Sequence, residues 1–564
     1  MTMATKTAAD ELAVPLDLLL TSATKPFASR MLPDATWARF GANLAKQPGA
    51  VAGRIGALTR ELGAIAAGNS HRVPARSDKR FADPAWEQNP LLHRIMQAYL
   101  AGAETAEGLL ADAGLDWRDQ ERMRFVVDNL VEGLAPGNNP LISPLGWKAM
   151  IDTGGLSAVR GVKAFARDML SKPRVPAMVE PDAFVVGESL AVTKGAVVLQ
   201  TSMFELIQYA PQTAKVREIP LLMVPPVINK YYVMDIAPGR SIIEYFVQQG
   251  QQVFVISWRN PHKRHRDWGF DVYGAAIVEA MDALQAITGT DSTHLFATCS
   301  GGILAAMTAA HLAGVGEGDR VAGLNLSVTV LDETRAGFAA AMMSDRAAQA
   351  AIRVSGRKGY LDGRDMAEMF AWLRPTDLVW RYWVNNYVQG RKPAPFDVLF
   401  WNADTTRMTA ALHRDMVQMA MRNALVNPGG VSMLGTPVDL GKITSDAYVV
   451  GGVADHISPW QATYRSARLL GSKDNRYVLS TSGHIAALVN PPGNPKASYR
   501  TGPVDAEDPQ RWLESSQESS DSWWPDYVAW LAERSGPEVD APKALGGEGF
   551  PPLGPAPGSY VMEK

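Results

Sequence analysis

Apolar positions recur along this chain in two textures. From Ala8 to about Glu180 they fall at helical spacing, as in Val51–Ala67 and Glu121–Leu134, and predict a helical N-terminal region. Pro173, Pro176 and Pro181 interrupt that texture and mark a linker. Beyond it, short β-branched and aromatic runs alternate with amphipathic stretches, the pattern of a mostly parallel sheet covered by helices. The predicted strands are Phe184–Leu199 (as a hairpin), Ile219–Val224, Gln252–Ser257, His294–Thr298, Val321–Val330, Ala447–Gly451 and Arg476–Ser480. Two amphipathic helices are predicted over Val272–Ile287 and about Gly302–Leu312.

The alternation stops between Asp332 and about Ile443, where Trp372, Trp380, Tyr382, Trp383, Tyr387 and Trp401 crowd together. A block of that length between two strands reads as a cap over the carboxyl ends of the sheet, where ligands of α/β proteins bind. Its aromatic rings serve either to exclude water from a site or as the cap's own core. The expected organisation is a helical N-terminal domain over 1–180, an α/β domain over 181–535 with the cap at about 333–443, and a tail over 536–564. The tail is rich in Pro and Gly and is expected to be poorly ordered.

Composition narrows the function classes. The 55 basic and 58 acidic side chains nearly cancel, giving a net charge of −3, so no global field favours nucleic acid or anionic lipid. A single cysteine, Cys299, excludes an intramolecular disulfide framework and a thiolate-rich metal site, and makes a reducing cytoplasm the expected compartment. The apolar stretch Leu12–Leu20 is interrupted by Pro15 and Asp17 and lacks the form of a secretory signal. No apolar run reaches the ~18 residues needed to span a bilayer.

The lone cysteine stands in Leu295-Phe296-Ala297-Thr298-Cys299-Ser300-Gly301-Gly302, between a predicted strand and a predicted helix. That is the place of a nucleophile elbow, a tight turn that needs small neighbours; Gly301 and Gly302 supply them on one side, and Ala297 stands where glycine is usual on the other. A lone thiol is more often a small buried hydrophobe, so its partners carry the argument. In α/β-hydrolases an acid and then a histidine follow the nucleophile, each on a loop after a strand. Asp455 follows the strand ending at Gly451, and His484 follows the strand ending at Ser480, so Cys299, Asp455 and His484 come in that order. His456 and His294 are rival bases, although His294 lies inside the nucleophile's own strand. The oxyanion donors expected are the backbone N–H groups of Ser300 and, from the loop Pro225–Tyr232, of a residue near Ile228.

Together with Pro225–Tyr232 and the cysteine box, Ser257–Pro261, Leu373–Trp380, Phe400–Thr406, Asp455–Trp460 and Gly483–Ile485 resemble, in order, the signature blocks of polyhydroxyalkanoate synthases. The similarity runs from about Phe125 to Arg534 and is closest to the single-subunit type. Glu205–Tyr209 and Ser522-Trp523-Trp524 resemble the branch that favours medium-length side chains. The resemblance implies an α/β-hydrolase core with an inserted cap, a Cys–His–Asp triad, and polymerisation of (R)-3-hydroxyacyl-CoA with release of CoA. CoA is then a substrate leaving group and no cofactor or metal is expected. The expected partners are the growing polyester chain, the surface of a polymer granule in the cytoplasm, and a second copy in a homodimer.

The residue chemistry suits that implication. A thiolate attacking a CoA thioester forms another thioester, so the acyl group stays activated for a second transfer, whereas a serine would leave it as a less reactive ester. An ester or lactone hydrolase with the same triad is the alternative, distinguished by release of free acid. A catalytically silent granule-coat protein is the third reading, and the intact triad argues against it. No phosphate-cradling glycine loop for CoA is evident.

Overall fold

The computed structural model describes residues 20, 23–24, 35–76, 78–334 and 345–564. The beginning of the predicted helical stretch, Ala8 to Leu19, lies outside them, as do residues 335–344 of the cap. The described N-terminal region forms α1 (Ala35–Ala45), α2 (Pro48–Ala67), α3 (Pro90–Asp112), α4 (Trp117–Gly133), α5 (Pro144–Asp152) and α6 (Leu156–Leu170). Helix α3 shows how local chemistry sets a start: the Asn89 side chain accepts from the Leu91 and Leu92 N–H groups, and Pro90 fits the first turn. These helices share only small apolar clusters, such as Leu110, Met123 and Val127. Ion pairs, including Arg54 with Asp112, add to them.

The α/β part is one sheet of eleven strands. In chain order they are β1 (Gly195–Gln200), β2 (Phe204–Tyr209), β3 (Leu221–Val224), β4 (Val253–Trp258), β5 (Thr293–Thr298), β6 (Val321–Ser327), β7 (Asp446–Gly452), β8 (Asn475–Ser480), β9 (Ser498–Pro503), β10 (Gln517–Ser520) and β11 (Gly554–Pro555). Their spatial order is β10-β9-β8-β7-β6-β5-β3-β4-β2-β1-β11. The run from β4 to β8 is parallel, and antiparallel pairs extend it at both edges. The central strands are buried on both faces, so their sequences read as continuous apolar runs. The period of two still sorts them: Leu222, Phe254 and Leu295 enter one core, while Met223, Val255 and Phe296 enter the other. Helices α7 (Phe270–Thr288) and α8 (Cys299–Gly314) cover the first face.

Four expectations are corrected. The first hairpin is β1–β2, over Gly195–Tyr209, and not Phe184–Leu199; Thr201 closes its turn by accepting from the Met203 and Phe204 N–H groups. Strands β9 and β10 were not foreseen, because they lie half-exposed at the sheet edge and have no apolar alternation to announce them. The tail is not loose. Glu538–Asp540 pairs with Lys215–Arg217, β11 pairs with β1, and Tyr560 and Val561 are buried, so Pro and Gly here supply the turns of a segment that closes an exposed edge. Finally, much of the expected cap belongs to the helical layer of the core: Ala348, Leu361, Met366 and Met369 of its first part, and most of its last third. In α11 (Ala410–Met421), which follows α9 (Asp345–Lys358) and α10 (Gly363–Leu373), Leu412, Met416 and Val417 join the main core, and Met433 and Leu440 follow them.

The remaining cap contains two successive π-helical turns, Thr376–Trp380 and Trp383–Val388. Their rings meet one another and Phe165 of α6 edge-to-face or tilted, with Trp383 and Tyr387 centred 5.8 and 5.4 Å from Phe165. The aromatic block is therefore the cap's own core and its seat on the N-terminal helices. Since π-turns hold their hydrogen bonds poorly, amides of residues 376–388 should exchange with solvent faster than those of α11. Equal, strand-like protection across both segments would contradict this division of the cap.

Candidate active site

The turn after β5 brings chemistry to the surface of the sheet. Cys299 is the first residue of α8 and has φ of 50°, a left-handed conformation that costs a non-glycine residue about 1–2 kcal/mol. Close packing on both sides pins it there. A methyl at Gly301 would lie 2.3 Å from the Pro225 carbonyl oxygen, and one at Gly302 would lie 2.0 Å from Thr329 Oγ1. The loop after β3 and the loop after β6 thus clamp the first turn of α8, and only glycine fits between them. The left-handed conformation falls on Cys299 and not on Ala297, which sits at the end of β5 between Val224 and Leu326 with its methyl in the core. Alanine meets the backbone demand at that place.

The structure brings all three predicted side chains together. Asp455 follows β7; its Oδ1 accepts from the N–H groups of Ile457 (2.8 Å) and Ser458 (2.9 Å), and its Oδ2 accepts from His484 Nδ1 at 2.7 Å. Gly452 permits this approach, since a methyl there would lie 2.6 Å from the Ser482 carbonyl oxygen. His484 opens the short helix His484–Leu488, whose terminal carbonyls of Ala487 and Leu488 accept from the buried indoles of Trp523 (2.8 Å) and Trp524 (3.1 Å). These two tryptophans hold the histidine from behind. Sequence reading singled them out only as a resemblance, because nothing local shows which carbonyl an indole will reach.

Burial alone would push the His484 pKa down, but the Asp455 carboxylate and then the neighbouring Cys299 reverse that and raise it to about 10. The raised value belongs to a ring bonded to Asp455 on one side and to the Cys299 thiol on the other. The rival bases fall away. His294 Nε2 lies 3.2 Å from both the Arg534 carbonyl and Ser535 Oγ, at the far end of β5. His456 is held neutral by burial, with its pKa lowered to about 4, and the Asp455 carboxylate bonds to His484 instead.

The oxyanion donors are placed in part. Ser300 follows the nucleophile in the first turn of α8, where backbone N–H groups have no partner within the helix. Its hydroxyl accepts from the Val227 N–H at 3.1 Å, which draws the loop after β3 onto the elbow and leaves Ile228 the next N–H along. Around the thiol, Ile303, Val328, Val330, Ile457, Ser458 and Glu333 enclose a cavity of about 10 Å3, room for at most one water.

The sequence model described as Poly-beta-hydroxybutyrate polymerase (PhaC) N-terminus matches residues 77–246, and that described as alpha/beta hydrolase fold matches residues 231–491. Poly(3-hydroxyalkanoate) polymerase 2 of Ectopseudomonas oleovorans is 43% identical over 90% of this chain and 90% of its own. Polymerase 1 of the same organism is 43% identical over 92% of each chain. The polymerase subunit PhaC of Cupriavidus necator is 37% identical over 89% of this chain and 86% of its own. The chain belongs to the poly(3-hydroxyalkanoate) polymerase family. The polymerase-specific N-terminal match runs through β1, β2 and β3, so what sets this family apart from other α/β-hydrolase folds extends beyond the linker into the sheet itself.

The His484–Asp455 pair makes the site pH-dependent. A histidine pKa raised above 6.5 contributes stability that is complete below pH 6.5 and lost as pH rises through about 10. Asp455→Asn should therefore lower the melting temperature more at pH 6 than at pH 10.5. It should also slow alkylation of Cys299 by iodoacetamide about tenfold or more at pH 7, because His484 without its carboxylate is no longer held against the thiol as a base. As the chain has one cysteine, the alkylation signal is unambiguous. A pH-independent melting difference with unchanged alkylation would refute the coupling.

Proposed function

We propose that this chain polymerises (R)-3-hydroxyacyl-CoA into polyhydroxyalkanoate and releases CoA, with Cys299 carrying the acyl group as a thioester. The observation that supports this reading most is the single thiol of a polymerase-family chain standing on the elbow beside the buried His484–Asp455 pair. In the first half-reaction the Cys299 thiolate attacks the thioester carbonyl. The developing oxyanion is received by the N–H groups of Ser300 and Ile228, and the His484 imidazolium gives its proton to the departing CoA sulfur. In the second, neutral His484 takes the proton of a hydroxyacyl hydroxyl, whose oxygen attacks the acyl-Cys299 carbonyl. The new ester bond forms as the C–S bond breaks, and the thiolate is regenerated beside the imidazolium. Asp455 orients the ring and stabilises its charge in both halves. CoA takes part as a leaving group, and the acyl pocket is lined mainly by aliphatic side chains.

Association with polymer granules is the second part of the proposal, supported by the outer face of α5 and α6. Ile151, Leu156, Val159, Val162 and Leu170 are all more than half exposed and follow one another at helical spacing, with Arg160, Lys163 and Arg167 interleaved. No helix among the described residues is long and apolar enough to cross a membrane. A homodimer stands as a further proposal, tested by sedimentation.

Purified protein incubated with (R)-3-hydroxyacyl-CoA should release thiol and form insoluble polyester together. Cys299→Ala should lower both at least ~1000-fold, and Cys299→Ser should stall after forming the less reactive ester. Soluble hydroxy acid as the main product would make the chain a hydrolase, and polymer formation by Cys299→Ala would overturn the mechanism. Val159→Asp with Val162→Asp should reduce the granule-bound fraction while soluble thiol release is kept; unchanged binding would remove this face from the proposal.

A further inference from the structure

The loop that carries Ile228 meets two distant parts of the chain at one buried lysine. Lys230 Nζ, with a side chain 3% exposed, pairs with Asp404 Oδ1 at 3.0 Å and donates to the Val561 carbonyl at 2.5 Å. Asp404 belongs to the segment where the cap returns to the core, and its other oxygen accepts from Tyr232 Oη at 3.1 Å. The Lys230 carbonyl in turn accepts from Trp401 Nε1 at 2.7 Å, and Asn229 bridges Thr405. Residues 559–564 are seated by bonds of their own. The buried Glu205 accepts from the Ser559 and Tyr560 N–H groups, the Arg259 guanidinium lies 3.9 Å from the Tyr560 ring centre, and Lys564 Nζ reaches Asp404 Oδ1 at 3.2 Å.

We infer that Lys230 is a positioning residue for the reaction: it fastens the oxyanion loop simultaneously to the cap's exit segment and to the 559–564 strap. Burying an ammonium is costly, and an apolar side chain of similar length would fill the same space without that cost. What the charge adds is geometry, because its two acceptors come from segments far apart in the chain and fix the loop only two residues from Ile228. Burial pushes the Lys230 pKa down, and the Asp404 carboxylate opposes that. The inference rests on the oxyanion role proposed above for Ile228.

Three variants test it: Lys230→Met, the chain ended after Gly558, and Lys230→Met with Asp404→Leu, which removes both buried charges and should melt near the wild type. Each is assayed for kcat and KM with (R)-3-hydroxyacyl-CoA and for iodoacetamide alkylation of Cys299, which needs no oxyanion hole. A misplaced donor should cost ~10–100-fold in kcat, with KM and the alkylation rate within about twofold. The double variant should stay as slow as Lys230→Met, since it restores charge balance but not the bond to Val561. Recovery of kcat in the double variant, alkylation falling in step with kcat, or wild-type kcat in the truncated chain would each overturn the inference. Failure of the underlying function shows itself separately, as CoA release by Cys299→Ala.

Discussion

Everything at this site depends on how tightly the first turn of α8 is gripped. The strand before it is buried on both faces, so β5 cannot shift, and the carbonyl of Pro225 and the hydroxyl of Thr329 leave no room for a side chain at 301 or 302. The chain escapes by placing Cys299 in the left-handed region. That strain, of the order of 1–3 kcal/mol, is sustained because the surrounding sheet and helix determine the turn many times over. It aims the thiol out of the core, to where side chains from other loops can reach it.

The second support is electrostatic. Asp455 is buried yet satisfied, with two backbone N–H groups on one oxygen and His484 on the other. A carboxylate so held fixes the imidazole in place and raises its pKa to about 10. Trp523 and Trp524 complete the arrangement by anchoring the far end of the histidine's short helix, which has too few turns to hold itself. His484 is thereby fixed at both ends, through its ring and through its backbone.

Access is the complementary problem. The cavity at Cys299 has room for at most one water, and the cap rests its aromatic core on α6 with π-helical turns at the contact. The N-terminal helices thus support the cap, whereas Cys299, Asp455 and His484 all stand at the ends of sheet strands. A family-specific sequence match that spans both α3 and β3 fits a chain in which helices and sheet work as one unit.

The sequence by itself determined the α/β class, the central strands to within three residues at either end, and the order Cys299, Asp455, His484, because buried strands and strand-end loops carry strong local signals of apolar runs and small residues. It did not reveal the β1–β2 hairpin, the edge strands β9 and β10, or the anchoring of residues 536–564. Polar edge strands have no periodicity to read, and a Pro- and Gly-rich segment looks the same whether it wanders or closes an edge. Nor was the division of the cap visible, since Leu412 and Met416 are apolar at helical spacing whichever surface they cover. Which carbonyl Trp523 reaches, and that Lys230 joins Asp404 to Val561, are properties of segments dozens to hundreds of residues apart. Only tertiary packing, which brings those groups within hydrogen-bond range of one another, could decide them.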